Sequence, residues 1–294
     1  MCIDFVISFL YYDHHPSHFS KKKLQWIIII KYYILGLKDW AEILLTQKKF
    51  VEAEEKIRQA LQFLEDRDSD ALFTLGLILS EQGNRDDESI QAYRKSIELN
   101  AEDAELCYNL GIKYGETGDR QSEMTMYARA VQIDPKFGGA WINWGTTLAE
   151  LDKFDDAEVM FLKALTCDND EVSMKATMNL ALVLQRQANT FATSGQLPTA
   201  KTVMQRASKY LDDIRPTLKG DYVSQFATLR VSCHRLMGSI LAGLQQFDEC
   251  ETEFRKATAD FPNIPGVWQM LARVLDIQGK SDEANKARQR LQNL

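Results

Sequence analysis

The chain has 294 residues and a formal net charge of −7, enough length for one long array or two ordinary domains. No dense basic stripe lies beyond its N-terminus, so the electrostatic footprint of a nucleic-acid binder is absent. Five cysteines (Cys2, Cys107, Cys167, Cys233, Cys250) are odd in number, scattered and free of any CxxC spacing. That is the usage of reduced, buried thiols, and a cytoplasmic location is expected.

Residues 1–33 stand apart as a tail or degenerate helix. Cys2 to Tyr12 is a short apolar run, followed by His14, His15 and His18, then Lys21, Lys22 and Lys23. Next comes LQWIIIIKYYILGL, residues 24–37. Three readings of it stay open. One is a membrane anchor, although fourteen residues interrupted by Lys31 fall short of the ~20 needed to span. The favoured one is a helix packed on the first repeat. The third is that the opening residues do not belong to the native product, which mass spectrometry of the native N-terminus tests. No small-x-small site marks a cleaved signal. The three histidines lack a nearby fourth ligand and read as a solvated tail, so neither metal nor cofactor is expected.

Residues 34–294 repeat. The first unit presents Trp40, Ala41 and Leu44 on one helix and Ala53, Ile57 and Ala60 on the next. The second has Leu72, Leu75, Gly76 and Leu79, then Ser89, Tyr93 and Ser96, with one extra residue in its turn. The third and fourth fix the period. Gly111 aligns with Gly145, Tyr114 with Leu148, Tyr127 with Phe161 and Ala130 with Ala164, always 34 residues apart. A fixed shift of that size marks a repeat array. Cys107, Leu110, Gly111 and Tyr114 fall at helical spacing on one face, Gly118 and Asp119 break the helix, and Pro135 ends the unit. Each unit is therefore a helix-turn-helix hairpin whose apolar face is covered by its neighbours.

The fifth unit departs, with an irregular insertion near 185–222. Thr177, Leu180, Ala181 and Leu184 mark its first helix, prolonged to about Asn189. Ala200, Met204 and Ala207 mark its second, seven residues later than the period asks. Pro198 sits near that helix's start, and Asp221 reads as the N-cap of a long helix from Tyr222 to Ala242. The sixth unit has Met237, Gly238 and Leu241, then Cys250, Phe254 and Ala257. The seventh has Trp268, Leu271, Ala272 and Leu275, then Ala284. There Arg288 replaces the ring of earlier units, and the polar helix 282–294 reads as a terminal cap.

The combination of aromatic, Leu-Gly, Tyr, small residue, aromatic, Ala and Pro at these offsets resembles the tetratricopeptide repeat family over roughly residues 34–294. The resemblance implies an all-α, right-handed α-solenoid (superhelix) of about seven hairpins, with first helices along a concave surface. Two residues before each small residue stand Thr74, Asn109, Asn143 and Asn179. An amide both donates and accepts, so a row of them suits the backbone of an extended peptide. The row is similar to the asparagine ladder in the repeat region of O-linked N-acetylglucosamine transferases. Phe73 and Leu77, Tyr108 and Ile112, Ile142 and Thr146, and Met178 and Leu182 flank it. If exposed, they form an apolar partner site; the alternative is that neighbouring helices cover them. Co-chaperone members of the family grip acidic tails with basic groove residues. Here Leu35, Asp70, Glu105 and Gly139 occupy one such position and only Lys175 fits, so a carboxylate clamp is not expected.

No phosphate loop, HExxH or GxSxG appears, and His234 reads as a packed structural residue. The expectation is a non-catalytic scaffold or adaptor that binds a peptide segment of a protein partner and no nucleic acid. Two alternatives remain: the substrate-recognition region of a glycosyltransferase-like enzyme, against which the polar cap argues, and a membrane-tethered receptor anchored through residues 24–37.

Overall fold

A computed structural model describes residues 21–293 except 219 and 221. Among them fourteen α-helices form and no strand does. They are α1 (Lys21–Thr46), α2 (Phe50–Phe63), α3 (Ser69–Gln82), α4 (Asp86–Leu99), α5 (Ala104–Glu116), α6 (Arg120–Ile133) and α7 (Gly138–Glu150). Then follow α8 (Phe154–Ala164), α9 (Asp170–Thr193), α10 (Leu197–Ile214), α11 (Tyr222–Gly243), α12 (Phe247–Asp260), α13 (Pro265–Ile277) and α14 (Ser281–Gln292). A short 3-10 turn, Arg215–Thr217, follows α10. Taken in pairs they are seven hairpins, an all-α repeat array. The chain divides into two compact units, residues 1–126 and 127–294, with the boundary inside α6.

The hairpin turns share one backbone device. The second residue after the first helix lies in the left-handed region: Lys48 at φ 58°, Gly118 at 84°, Asp152 at 57°, Gly195 at 81°, Gln245 at 60° and Gly279 at 75°. The next amide then bonds back to a carbonyl five residues earlier, as in Lys49 to Leu44 at 2.9 Å and Gln196 to Phe191 at 2.8 Å. This is the Schellman closure, and it satisfies carbonyls that a helix end leaves orphaned. Glycine at position 118 takes that conformation without the Cβ clash that lysine, aspartate and glutamine bear. The α3/α4 turn carries its extra residue as a pair, Gly83 and Asn84, both at positive φ.

In the first unit, Ala41, Leu44, Ala53, Ile57, Leu61, Leu72, Leu75 and Leu79 form one apolar core. A second cluster has Tyr93, Leu106 and Leu110 at its centre, with Phe73, Leu77 and Tyr114 partly buried against it. Side-chain caps start three of the first helices. Asp68 accepts from the Ala71 amide at 2.7 Å, Asp103 from Leu106 at 3.0 Å and Asn169 from Val172 at 3.0 Å. Each such cap is worth about 0.5–2 kcal/mol.

Three expectations need correction. Trp40 does not join the inner face but lies half-exposed, with the Lys56 ammonium 5.0 Å above its ring. Residues 41 and 44 already fill the seam at helical spacing, which turns position 40 outward. The expected boundary at residue 33 falls inside α1, because no helix breaker stands between Lys21 and Ile34. The fifth first helix runs to Thr193, one turn beyond Asn189. The expected Asp221 cap, the apolar run from Cys2 to Tyr12 and the histidines at 14, 15 and 18 lie outside the described residues.

Candidate functional site

The flanked asparagines sit on first helices in both units. In the first, α3 carries Phe73 and Leu77, and α5 carries Tyr108, Asn109 and Ile112. All five are half-buried. The Phe73 ring packs 5.9 Å from Tyr93, so it props the core as well as edging the surface. Asn109 spends its Nδ2 on the Glu105 carbonyl one turn back, at 2.9 Å. Its Oδ1 makes no hydrogen bond among the described residues, leaving an acceptor for a ligand N–H. Thr74, at the ladder position of α3, is buried.

In the second unit, α7 holds Ile142, Asn143 and Thr146, and α9 holds Met178, Asn179 and Leu182. Ile142 and Met178 are buried at 5% and 8% exposure, which corrects the expectation of an open apolar flank there. Each occupies a helix face toward an adjoining helix, and a single hairpin's periodicity does not reveal that cover. Leu182 is exposed. Thr146 turns its hydroxyl onto the Ile142 carbonyl at 2.9 Å, and Asn143 is half-buried.

A cleft lies between α9 and α11. It encloses about 540 Å³ and is lined by Glu171, Lys175, Met178 and Asn179 from α9 and by Tyr222 and Gln225 from α11. Glu171, Lys175 and Asn179 recur every four residues, so they share one stripe of the helix. Tyr222 donates its hydroxyl to Glu171 Oε1 at 3.4 Å. Burial and the Glu171 charge push the Tyr222 phenol up from its ordinary range. Asn179 lines the cleft and makes no side-chain hydrogen bond among the described residues, so both ends of its amide are unspent. The cleft thus offers a cation, an anion, two amides and a phenol over the thioether of Met178.

Sequence reasoning missed Tyr222 and Gln225, which reach Asn179 only after α10 has folded between them. It also missed Lys113, whose side chain is 4% exposed. Its ammonium bonds Glu116 at 2.6 Å and Asp86 at 3.0 Å. Burial opposes that charge, yet the two carboxylates hold it above the ordinary lysine range. His234 is buried as expected, with Nδ1 2.7 Å from Glu253.

Residues 69–103 and 104–137 each match the tetratricopeptide repeat family. The chain carries tetratricopeptide repeats. The two matched repeats are the hairpins α3/α4 and α5/α6. One sequence relative, an uncharacterized protein from Methanocaldococcus jannaschii, is 26% identical over 69 residues, covering 24% of this chain and 80% of that one. The fold is similar to that of PilF from Pseudomonas aeruginosa, with 15% identity, TM-score 0.55, and 83% and 99% of the two chains covered. It is also similar to a tetratricopeptide repeat protein from Parabacteroides merdae, with 14% identity, TM-score 0.52, and 89% and 93% covered. These two likenesses concern the fold alone. Tetratricopeptide repeat proteins typically bind protein partners.

Proposed function

We propose that this tetratricopeptide repeat protein is a non-catalytic scaffold that holds a peptide segment of a partner protein against its first helices. The observation that carries this reading is the α9/α11 cleft, where the unspent amide of Asn179 stands beside Lys175, Glu171 and Gln225. An extended peptide brings one N–H and one C=O per residue, and each needs a partner once water is displaced. Asn179 supplies both kinds. Asn109 supplies an acceptor in the first unit, and Asn143 occupies the same repeat position on α7. Phe73, Leu77, Tyr108, Ile112, Thr146 and Leu182 edge these sites, while Ile142 and Met178 serve from beneath as packing.

The test is affinity capture with the full chain, wild type beside the variant Asn109→Ala/Asn143→Ala/Asn179→Ala, with captured proteins identified and the best partner's peptide titrated against both. Loss of two to three hydrogen bonds at about 0.5–1.5 kcal/mol each weakens binding by about fivefold or more. Unchanged thermal unfolding of the variant is required for that reading. A partner held equally by both forms would sink the proposal.

A further inference from the structure

The first helix is the longest among the described residues. It has 26 residues, whereas its partner α2 has 14. At about 1.5 Å per residue, its first half projects beyond what α2 can cover. Ile30 and Ile34 are half-buried and Leu37, Ala41 and Leu44 buried, so one stripe runs along the hairpin. The rest of the overhang faces outward and is apolar: Trp26 is 49% exposed, Ile28 47%, Tyr32 69% and Leu35 47%. An array's outer helix is expected to present a polar face to water. Here that face instead carries isoleucines flanked by tryptophan and tyrosine, the rings that settle at a membrane–water boundary.

The charges of this segment are also segregated. Residues 21–38 hold five lysines (21, 22, 23, 31 and 38) and no acid, in a chain whose net charge is −7. Lys38 is taken by Asp68 at 2.8 Å. The other four lie along the apolar overhang, and Lys31 within it is exposed. Among the described residues no helix is long and apolar enough to cross a membrane. The fourteen apolar-rich residues 24–37 extend about 21 Å, against a hydrocarbon core of about 30 Å.

We infer that the overhang of α1 docks on the surface of an anionic bilayer. The isoleucines and aromatic rings enter the headgroup boundary, and the lysine-rich, acid-free sequence of residues 21–38 supplies the positive charge that anionic headgroups attract. Charge complementarity selects this occupant. A second copy of the chain would bring four more lysines to the same surface, where like charges repel. The inference is independent of the peptide-binding reading, since it uses none of the same residues.

The experiment is co-sedimentation of the full chain with vesicles of phosphatidylcholine alone and of phosphatidylcholine containing about one-third phosphatidylserine, alongside light scattering of the free protein. Two variants accompany it, Ile28→Ser/Tyr32→Ser and Lys22→Glu/Lys23→Glu, each checked for unchanged thermal unfolding. Wild type is expected to sediment with the anionic vesicles, at least about tenfold more tightly than with neutral ones and more weakly as salt rises. Either variant is expected to lose at least about tenfold in affinity. Wild type that binds neither vesicle overturns the inference. If it is then a dimer that Ile28→Ser/Tyr32→Ser separates, a second copy covers the helix. If it is a monomer, residues 1–20 become the candidate cover. Equal vesicle binding by wild type and Ile28→Ser/Tyr32→Ser also overturns it.

Discussion

In the α11/α12 hairpin a glycine faces an aromatic ring, whereas in α9/α10 the same two repeat positions hold Ala181 and Met204. A methyl group placed on Gly238 would stand 2.1 Å from Phe254 Cζ, well inside contact distance. That hairpin is closed around a ring that leaves no room for a Cβ. Ala181 already carries the methyl, and both it and Met204 are fully buried. The fifth hairpin lengthens its helices, to 24 and 18 residues, and fills the seam with a flexible thioether. Its second helix is also displaced by seven residues, about two turns, which keeps the same side facing inward. A rigid ring in a glycine notch fixes one helix separation; a pliable side chain accommodates the separation that longer helices impose.

The largest expected effect removes the ring. Phe254→Ala should destabilise the second unit by about 3–5 kcal/mol, and Met204→Ala by about 2–3, since neighbours close more readily around a methionine void. Chemical denaturation of the two variants compares them, and the reverse order would break the distinction between rigid and pliable seams. Next in size is Gly238→Ala. With the ring only 2.1 Å away, overpacking costs about 2–3 kcal/mol and the better helix former returns about 1, for a net loss of about 1–2. Adding Phe254→Met gives the sixth hairpin the pair that the fifth uses, and it should recover at least half of that loss. The double-mutant cycle measures this coupling directly. A pair of substitutions that merely add would mean that Phe254 does not shape the notch at Gly238.

The pairs in this comparison were legible in the sequence because they lie within one 34-residue period, where helical spacing alone brings them face to face. The same holds for the buried sets Ala53–Ile57–Ala60 and Ser89–Tyr93–Ser96 and for the extra turn residue after α3. Legibility ends where a neighbouring hairpin decides. Ile142 and Met178 read as open flanks in their own helices, and an adjoining helix buries them. Tyr222 and Gln225 meet Asn179 only through the irregular α10 segment, which no repeat pattern places. Lys113 looks like an ordinary surface lysine until Asp86, on the preceding hairpin, closes over it at 3.0 Å. The three asparagine positions follow from the period, whereas the spare hydrogen-bonding capacity of Asn179 and Asn109 depends on tertiary neighbours and rotamers.

The smallest expected effect is the most discriminating. Gly145 sits in the α7/α8 hairpin at the same repeat position as Gly238, facing Phe161, which is also buried. A methyl there would lie 2.9–3.1 Å from the ring edge rather than 2.1 Å. A shift of a few tenths of an ångström in the ring relieves that, so the strain and the gain of about 1 kcal/mol in helix propensity nearly cancel. Gly145→Ala should unfold within about 0.5 kcal/mol of wild type, a shift of only a few degrees in Tm. If it falls as far as Gly238→Ala, the repeat position itself demands glycine and ring distance is not the variable that matters. If it is neutral while Gly238→Ala is not, the fourth hairpin lies between the rigid sixth and the pliable fifth, and each repeat tunes its own helix separation through one residue pair.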